Sequence, residues 1–352
     1  MIRRVRVLIV DDSAAMRGLI SAILRRDDDI EVVGEASDPL EARQAIKDLQ
    51  PDVITLDVEM PKMNGLEFLE RIMRLRPMPV IMISSLTQRG AQETIRALEI
   101  GAVDCIAKPS SGNLGSLEQL PVRVKMAAKA KLRSPAGGAN GTNGAAHGKP
   151  AAASYQPGRS IVVIGSSTGG VEALSTVLEA FPANCPPTVI AQHMPESFLA
   201  SLAARLNKRF APEISVAVDG VQLQPGNVYF APGGRSHIEI TEGATRRLRV
   251  REDDPINGYC PSVDLLFHSA GRAEPRNTVG VILTGMGRDG ADGLLAMRRA
   301  GAQTLGQDEA TSLIYGMPKA AFENGAVERQ LPLANIGAEI LSMTQQKQEG
   351  TN

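Results

Sequence analysis

The chain has 352 residues, 43% of them hydrophobic, which is enough to bury two cores of ordinary domain size. Its formal net charge is -1, and 3% of its residues are aromatic, with no tryptophan. Nucleic-acid binding usually needs a basic face or clustered aromatics, so we expect none. The three cysteines form no CxxC pair, and no run approaches the roughly 18 apolar residues of a membrane span. We therefore expect reduced thiols, no direct membrane insertion and a cytoplasmic protein.

The N-terminal third alternates short β-branched runs with longer amphipathic stretches, a pattern typical of a parallel sheet with crossover helices. Five such runs predict an α/β, flavodoxin-like doubly wound domain over residues 1–122. The predicted strands are Val5–Val10, Glu31–Ala36, Val53–Leu56, Val80–Ile83 and Val103–Ala107.

A region dense in Ala, Gly, Asn, Ser and Pro follows, and we interpret residues 123–158 as a linker that begins as a short helix and becomes flexible. Apolar runs then resume, so residues 159–345 are predicted to form a second doubly wound α/β domain. An alternating stretch, His237–Arg251, predicts a small antiparallel hairpin, and the polar residues 346–352 predict a disordered tail. The strands predicted for the second domain are Ile161–Ile164, Thr188–Ala191, Val228–Ala231 and Val279–Leu283.

Polar side chains in the first domain follow its strands at the edge where an open parallel sheet binds ligands. They are Asp11, Asp12, Asp57, Ser84 and Lys108. Three carboxylates repel one another unless a cation joins them, and Mg²⁺ prefers oxygen ligands, so Asp12, Asp57, a backbone carbonyl and water are predicted to bind it. Lys108 and the Ser84 hydroxyl could then hold a phosphoryl group on Asp57. Each acid taken alone could instead cap a helix or face solvent.

These segments resemble the receiver domain of two-component response regulators, through VLIVDDS, ITLDVEMPKMNG, ISS and AKP. The resemblance implies that Asp57 is the phosphorylated aspartate and that Asp12 binds the metal with Asp11 beside it. It also implies that Glu59 contributes a backbone carbonyl and that a sensor histidine kinase is the phosphodonor. One departure is Cys105, which stands where many receivers have an aromatic residue that reorients on phosphorylation.

In the second domain, the strand IVVIG leads into GSSTGG, which matches G-x-S-x-G in a strand-to-helix context with Ser167 as the central serine. A serine hydroxyl needs a base, most often histidine. His193 follows the strand TVIAQ at the edge that carries Ser167, and it is the preferred base. Of the other histidines, His147 is in the predicted linker, His237 in the hairpin and His268 in an apparent helix. A plain glycine-rich loop is the alternative interpretation of GSSTGG.

A carboxylate should orient the imidazole of such a base. The strand VGVIL leads into TGMGRDGADG, so Asp289 and Asp292 both follow a third strand at this edge. Asp289 is nearer the strand end and is the preferred acid. Asp292 is the fallback and the predicted helix cap. The order Ser, His, Asp differs from that of α/β-hydrolases, which favours a different fold and leaves the chemistry unchanged.

The segments GSSTGG, QHMP and TGMGRDG, with CPSVDLLFHS and YGMPKAA, resemble the catalytic domain of the chemotaxis protein-glutamate methylesterases, the CheB family. The resemblance implies hydrolysis of glutamate γ-methyl esters on methyl-accepting chemotaxis receptors, with no cofactor for the ester chemistry and a chemotaxis histidine kinase as phosphodonor. Many members also deamidate receptor glutamines. The resemblance implies that Ser167 is the nucleophile, His193 the base and Asp289 the acid. It also implies that Thr168 and Met286 are backbone donors to the oxyanion.

The two domains together suggest that an unphosphorylated receiver covers the esterase cleft and that phosphorylation weakens this contact. The alternative is a response regulator whose second domain only binds a protein partner. Such a domain has no reason to place serine, histidine and aspartate at three strand ends of one edge. A transcription-factor output is disfavoured because residues 160–352 contain no helix-turn-helix pattern and no basic stripe.

Overall fold

The computed structural model describes most of the chain, namely residues 3–60, 63–109, 115–132, 155–243 and 245–346. The protein divides into two compact units, Met1–Thr142 and Asn143–Asn352, each with its own parallel sheet. Within the described ranges, none of the helices has the length and apolar character needed to span a bilayer. Both units are α/β, which confirms the predicted fold class.

The first unit alternates strands and helices in the predicted order. Its strands are β1 (Val5–Val10), β2 (Ile30–Ala36), β3 (Val53–Asp57), β4 (Val80–Ser84) and β5 (Asp104–Ala107). Its helices are α1 (Ala14–Leu24), α2 (Pro39–Leu49), α3 (Gly65–Leu75), α4 (Gln88–Ile100) and α5 (Leu120–Ala127). All strand pairs are parallel, in the order β2-β1-β3-β4-β5, so the carboxyl ends of the strands share one edge.

The second unit has a seven-stranded parallel sheet and a separate two-stranded antiparallel hairpin. Its strands are β6 (Ile161–Ser166), β7 (Thr188–Gln192), β8 (Glu213–Val216), β9 (Asn227–Phe230), β10 (Ser236–Ile240), β11 (Leu248–Glu252), β12 (Thr278–Ile282), β13 (Gln303–Gln307) and β14 (Arg329–Leu331). Its helices are α6 (Gly170–Leu178), α7 (Glu196–Arg209), α8 (Val263–Ala273), α9 (Ala291–Arg299), α10 (Met317–Glu323) and α11 (Leu333–Thr344). Strands β10 and β11 form the predicted hairpin.

Strand β6 lies at the point where the strand order of the large sheet reverses. The sheet order is β14-β13-β12-β6-β7-β9-β8, so the chain leaves β6 first towards β7 and later returns to β12 on its other side. Ser166 is in register with Gln192, and Gly165 is in register with Ile282. Because parallel strands end at the same edge, the residues that follow β6, β7 and β12 leave the sheet side by side, where such sheets bind ligands.

Three strands of this sheet escaped the sequence analysis. Strands β8 and β14 are short edge strands in which most residues are exposed or half-buried. Strand β13 has the sequence QTLGQ, whose polar ends and glycine interrupt the apolar run that marks a buried parallel strand. Their composition therefore gives only a weak strand signal, and pairing with neighbouring strands determines their conformation.

The two units extend beyond the predicted domain boundaries. Helix α5 continues to Ala127 and packs against α1 and β1, so the boundary predicted at residue 122 falls inside a helix of the first unit. The backbone N–H of Gln346 donates to the carbonyl of Gln156, so parts of the predicted linker and tail belong to the second unit. Residues 133–154 and 347–352 of these segments lie outside the described residues.

Helix α8 packs directly on β6 because Gly165 leaves room for it. A Cβ built on Gly165 would lie 2.2 Å from Cγ1 of Val263 and 3.2 Å from the ring of Phe267. Phe267 is fully buried in the core beside α9. This close approach fixes the start of α8 near the end of β6, where the candidate active site lies.

We predict that Phe267→Ala lowers the free energy of unfolding of the second unit by about 3–5 kcal/mol, because it leaves a cavity between α8 and β6. The matched control is Phe322→Ala, whose ring is 51% exposed and whose loss should cost less than about 1 kcal/mol. Urea denaturation followed by circular dichroism measures both. Equal losses in the two variants would contradict this packing.

Candidate active site and phosphoacceptor site

Ser167 lies in the turn between β6 and α6. Its backbone N–H donates to the Thr284 carbonyl at 3.1 Å, and its carbonyl accepts from the N–H of Gly170 at 2.8 Å. Gly169 has φ of 80°, a left-handed conformation that favours glycine, and it begins α6. The turn therefore holds Ser167, which is 8% exposed, at the head of a helix, as the G-x-S-x-G pattern predicts.

The Gln192 side chain connects the turn that carries Ser167 with His193 through hydrogen bonds. Its side-chain Nε2 donates to the carbonyl of Ser167 at 2.9 Å and to that of His193 at 3.2 Å. Its Oε1 accepts from the Ser166 hydroxyl at 2.6 Å, and the backbone N–H of His193 donates to the Ser166 carbonyl at 3.1 Å. The sequence analysis missed this role because a glutamine at a strand end carries no specific signal.

His193 forms a close pair with Asp289. Its Nε2 lies 2.8 Å from Oδ2 of Asp289, and the two side chains are 6% and 0% exposed. Its Nδ1 is buried with no hydrogen-bond partner among the residues that the structure describes. An ionised carboxylate only accepts hydrogen bonds, so Nε2 carries the proton and Nδ1 keeps the lone pair of a base.

The N-terminus of α8 binds the carboxylate of Asp289 through hydrogen bonds. The hydroxyl of Ser262, the N-cap of α8, donates to Oδ1 at 3.1 Å, and the N–H groups of Val263 and Asp264 donate to Oδ2 and Oδ1 at 2.7 and 3.0 Å. Burial by itself raises the pKa of Asp289, but the hydrogen bond from His193 and these amides outweigh it and hold the pKa below its ordinary value. A helix N-terminus stabilises an anion, so Asp289 stays charged.

Asp292, the fallback acid, does not pair with His193, and its prediction as the helix cap is wrong. It is exposed on α9 and accepts a hydrogen bond from Arg288 at 3.1 Å. The N-cap of α9 is Gly290, and Asp292 lies within the first turn instead. The turn after β12 points Asp289, not Asp292, towards His193.

Neither described rival histidine takes part in the His–Asp pair. His237 is fully buried; its Nδ1 accepts from the N–H of Ser262 at 3.2 Å and its Nε2 lies 3.1 Å from the Asp254 carbonyl. It therefore supports the residue that holds Asp289. His268 lies on α8, and His147 lies outside the described residues.

The two candidate oxyanion donors flank Ser167. A Cβ on Gly285 would lie 2.8 Å from Cβ of Ser167, so only glycine allows this approach, and Met286 follows it in the chain. Thr168 follows Ser167, and its carbonyl accepts from the Thr284 hydroxyl at 3.0 Å. The segments that carry both donors are thus fixed beside the nucleophile. Donation by Thr168 and Met286 to an oxyanion stays a prediction.

In the first unit, Lys108 joins two of the predicted acids. Its Nζ lies 2.8 Å from Oδ2 of Asp57 and 3.4 Å from Oδ2 of Asp11. Burial raises the pKa of Asp57 to about 6, although the hydrogen bond from Lys108 opposes it, and burial also raises the pKa of Asp11. Lys108 therefore lies beside Asp57, and its contact with a phosphoryl group there stays a prediction.

The carboxylates of Asp11, Asp12 and Asp57 are arranged to suit a hard cation. One oxygen of each lies within 4.8 Å of the others. Oδ2 of Asp11 is buried, and Nζ of Lys108 faces it at 3.4 Å. An oxygen-only set of ligands suits Mg²⁺. Glu59 donates its N–H to Oδ1 of Asp57 at 3.2 Å, and its carbonyl as a metal ligand stays a prediction.

Two other positions noted in the sequence of the first unit, Ser84 and Cys105, are buried. The Ser84 hydroxyl donates to the Gly90 carbonyl of α4 at 3.2 Å, so its contact with a phosphoryl group stays a prediction. Cys105 is buried in β5, and burial raises the pKa of its thiol well above the ordinary value. The three cysteines are all unpaired thiols, as expected.

The second unit has a serine, a histidine and an aspartate at neighbouring strand ends, and the first unit has a buried acidic site on its own parallel sheet. Together these features define a serine hydrolase joined to a phosphoacceptor domain. Residues 162–340 match the family model of the CheB methylesterase, and residues 7–116 match that of the response regulator receiver domain. The protein belongs to the CheB methylesterase family.

Its relatives match over nearly the whole chain. It is 58% identical to a protein-glutamate methylesterase/protein-glutamine glutaminase of Agrobacterium fabrum, covering 99% of each chain. It is 57% identical to one from Caulobacter vibrioides, covering 97% of this chain and 98% of that one. The crystal structure of the Thermotoga maritima CheB methylesterase catalytic domain matches at a TM-score of 0.51 and 35% identity, covering 52% of this chain and 98% of that one.

We predict that Asp289→Asn lowers the kcat of ester hydrolysis on the order of 10³–10⁴-fold, because an amide no longer fixes the proton on Nε2 of His193. Asp292→Asn makes the same chemical change three residues away on the exposed face of α9, and it should leave kcat within about twofold. Steady-state kinetics of both variants tests the choice between the two acids. A larger loss in Asp292→Asn would reverse it.

Proposed function

We propose that this protein is a phosphorylation-regulated protein-glutamate methylesterase that hydrolyses glutamate γ-methyl esters on chemoreceptors. The observation that carries the proposal is the buried His193–Asp289 pair, whose histidine follows the strand next to that of Ser167 and has its free lone pair on Nδ1. The names of the relatives support the ester class and also deamidation of receptor glutamines. The methylated helices of chemoreceptors are cytoplasmic, so the proposal places the enzyme there.

In the proposed reaction, the Ser167 hydroxyl attacks the ester carbonyl while Nδ1 of His193 takes its proton. Asp289 stabilises the imidazolium, and the N–H groups of Thr168 and Met286 donate to the oxyanion. The imidazolium then returns the proton to the departing methoxy group, which leaves as methanol. Water, deprotonated by His193, hydrolyses the acyl-serine to free glutamate. These groups supply base, nucleophile and oxyanion donors, so the ester chemistry needs no cofactor.

Regulation resides in the first unit. A chemotaxis histidine kinase would transfer a phosphoryl group to Asp57, with Lys108 and Ser84 holding its oxygens. Three groups, the Asp11, Asp12 and Asp57 carboxylates, would hold Mg²⁺ together with the Glu59 carbonyl. When bound, Mg²⁺ supplies positive charge that offsets the phosphoryl oxygens. The family match over residues 7–116 and the short Lys108–Asp57 contact support this assignment.

We predict that wild-type protein releases methanol from methylated receptor membranes, and that a small-molecule phosphodonor increases the rate. Ser167→Ala should lower release on the order of 10³-fold or more, because the nucleophile is gone. Asp57→Asn should abolish the increase caused by the phosphodonor. No release from folded wild-type protein in either condition would favour the non-catalytic binding module instead. Full release by Ser167→Ala would exclude the assigned nucleophile.

We also predict that removing Mg²⁺ with a chelator, or Asp12→Asn, slows phosphorylation of Asp57 on the order of tenfold or more, since less charge then offsets the phosphoryl oxygens. The matched control is Asp28→Asn, an exposed aspartate outside the acidic site. Acid-labile phosphate on the protein is the measure. A phosphorylation rate that is equal with and without Mg²⁺ would rule out the proposed metal site.

A further inference from the structure

One face of the His193 imidazole is covered by the ring of Tyr259. The two ring centroids lie 4.2 Å apart and their planes are inclined by 14°, which is a stacked arrangement. Stacked aromatic rings hold each other at a fixed tilt, and the face of a phenol ring attracts a cation. Tyr259 therefore contacts the face of the imidazole.

Tyr259 is itself held at both ends. Ile256 and Tyr259 exchange backbone hydrogen bonds of 3.0 and 2.9 Å, and the two residues between them, Asn257 and Gly258, have φ of 52° and 84°. Positive φ at both central residues is typical of a tight type I′ turn. At the other end, a Cβ built on Gly287 would lie 2.6 Å from the Tyr259 hydroxyl. The Tyr259 ring thus lies between this turn and the loop that leads to Asp289.

The segment that carries Tyr259 also holds the partner of His193. Three residues further on, Ser262 donates to Oδ1 of Asp289, and its N–H donates to the buried His237. Residues 259–262 therefore contact both members of the His–Asp pair. Rotation of the imidazole about its Cβ–Cγ bond would break the stack with Tyr259 and the hydrogen bond to Asp289 together.

We propose that Tyr259 is a positioning residue of the esterase, which holds the His193 ring at the tilt that its hydrogen bond to Asp289 requires and stabilises the imidazolium while it carries the serine proton. This inference rests on the methylesterase function proposed above. The imidazolium forms only after substrate is bound and the serine has lost its proton. Loss of the Tyr259 ring should therefore lower kcat and leave KM nearly unchanged.

The test compares Tyr259→Leu, which fills part of the space without a π face, with Tyr259→Phe, which keeps the ring. Methanol release from methylated receptor membranes gives kcat and KM for the full-length protein. We expect Tyr259→Leu to lose on the order of tenfold in kcat with KM within about twofold, and Tyr259→Phe to stay within about threefold of wild type. Phe210→Ala removes a half-buried ring at the far end of the 14-residue helix α7 and should change neither constant.

Thermal unfolding shows whether each variant is folded, and Tyr259→His supplies a second aromatic ring if the leucine variant is unstable. Full kcat in Tyr259→Leu overturns the proposal, because the ring would then be unnecessary. A tenfold loss of kcat in Tyr259→His overturns it as well, because that variant keeps a ring. A rise in KM alone overturns it too, since that would indicate a substrate contact. Ser167→Ala is measured in parallel: full activity of that variant overturns the proposed function and with it the role of Tyr259, whereas its loss together with full activity of Tyr259→Leu overturns the role of Tyr259 alone.

Discussion

The charge on Asp289 determines the chemistry of the whole active site. Four donors surround this carboxylate: Nε2 of His193, the Ser262 hydroxyl, and the backbone N–H groups of Val263 and Asp264. Because an ionised carboxylate can only accept, it places the imidazole proton on Nε2 and leaves Nδ1 as the base. In the serine proteases that define the triad, the roles of the two nitrogens are reversed. In the proposed reaction, the position of the acid relative to the ring therefore decides which nitrogen takes the serine proton.

That arrangement depends in turn on the order of strands in the second sheet. Ser167 follows β6, and its neighbours in the sheet, β7 and β12, lead to His193 and Asp289. Three segments far apart in sequence thus meet at one edge, where the strand order reverses. Gly165 and Gly285 allow α8 and the loop after β12 to approach the end of β6 closely enough for the groups to meet.

The sequence was sufficient to predict that Ser167, His193 and Asp289 follow three strands that end at one edge, because apolar runs mark those strands and a parallel sheet brings their ends together. It did not reveal Gln192 or Tyr259, whose roles come from contacts between segments that no local pattern connects. Ser262 is an intermediate case: a serine before an apolar helical run predicts an N-cap, but not that the cap would also hold Asp289. The edge strands were missed because pairing, not composition, forms them.

The two sheets bury carboxylates at the same kind of edge with opposite results. Burial raises the pKa of Asp57 to about 6 and Asp11 adds repulsion, while the hydrogen bond and charge of Lys108 offset only part of this rise. Asp289 is also buried, yet its hydrogen-bond donors keep its pKa below the ordinary value. A fixed charge suits a residue that must orient one histidine through every turnover. The charge of Asp57 is only partly compensated, which suits a receiver. A cation or a phosphoryl group that binds there changes the local balance of charge, and this change can act as a signal.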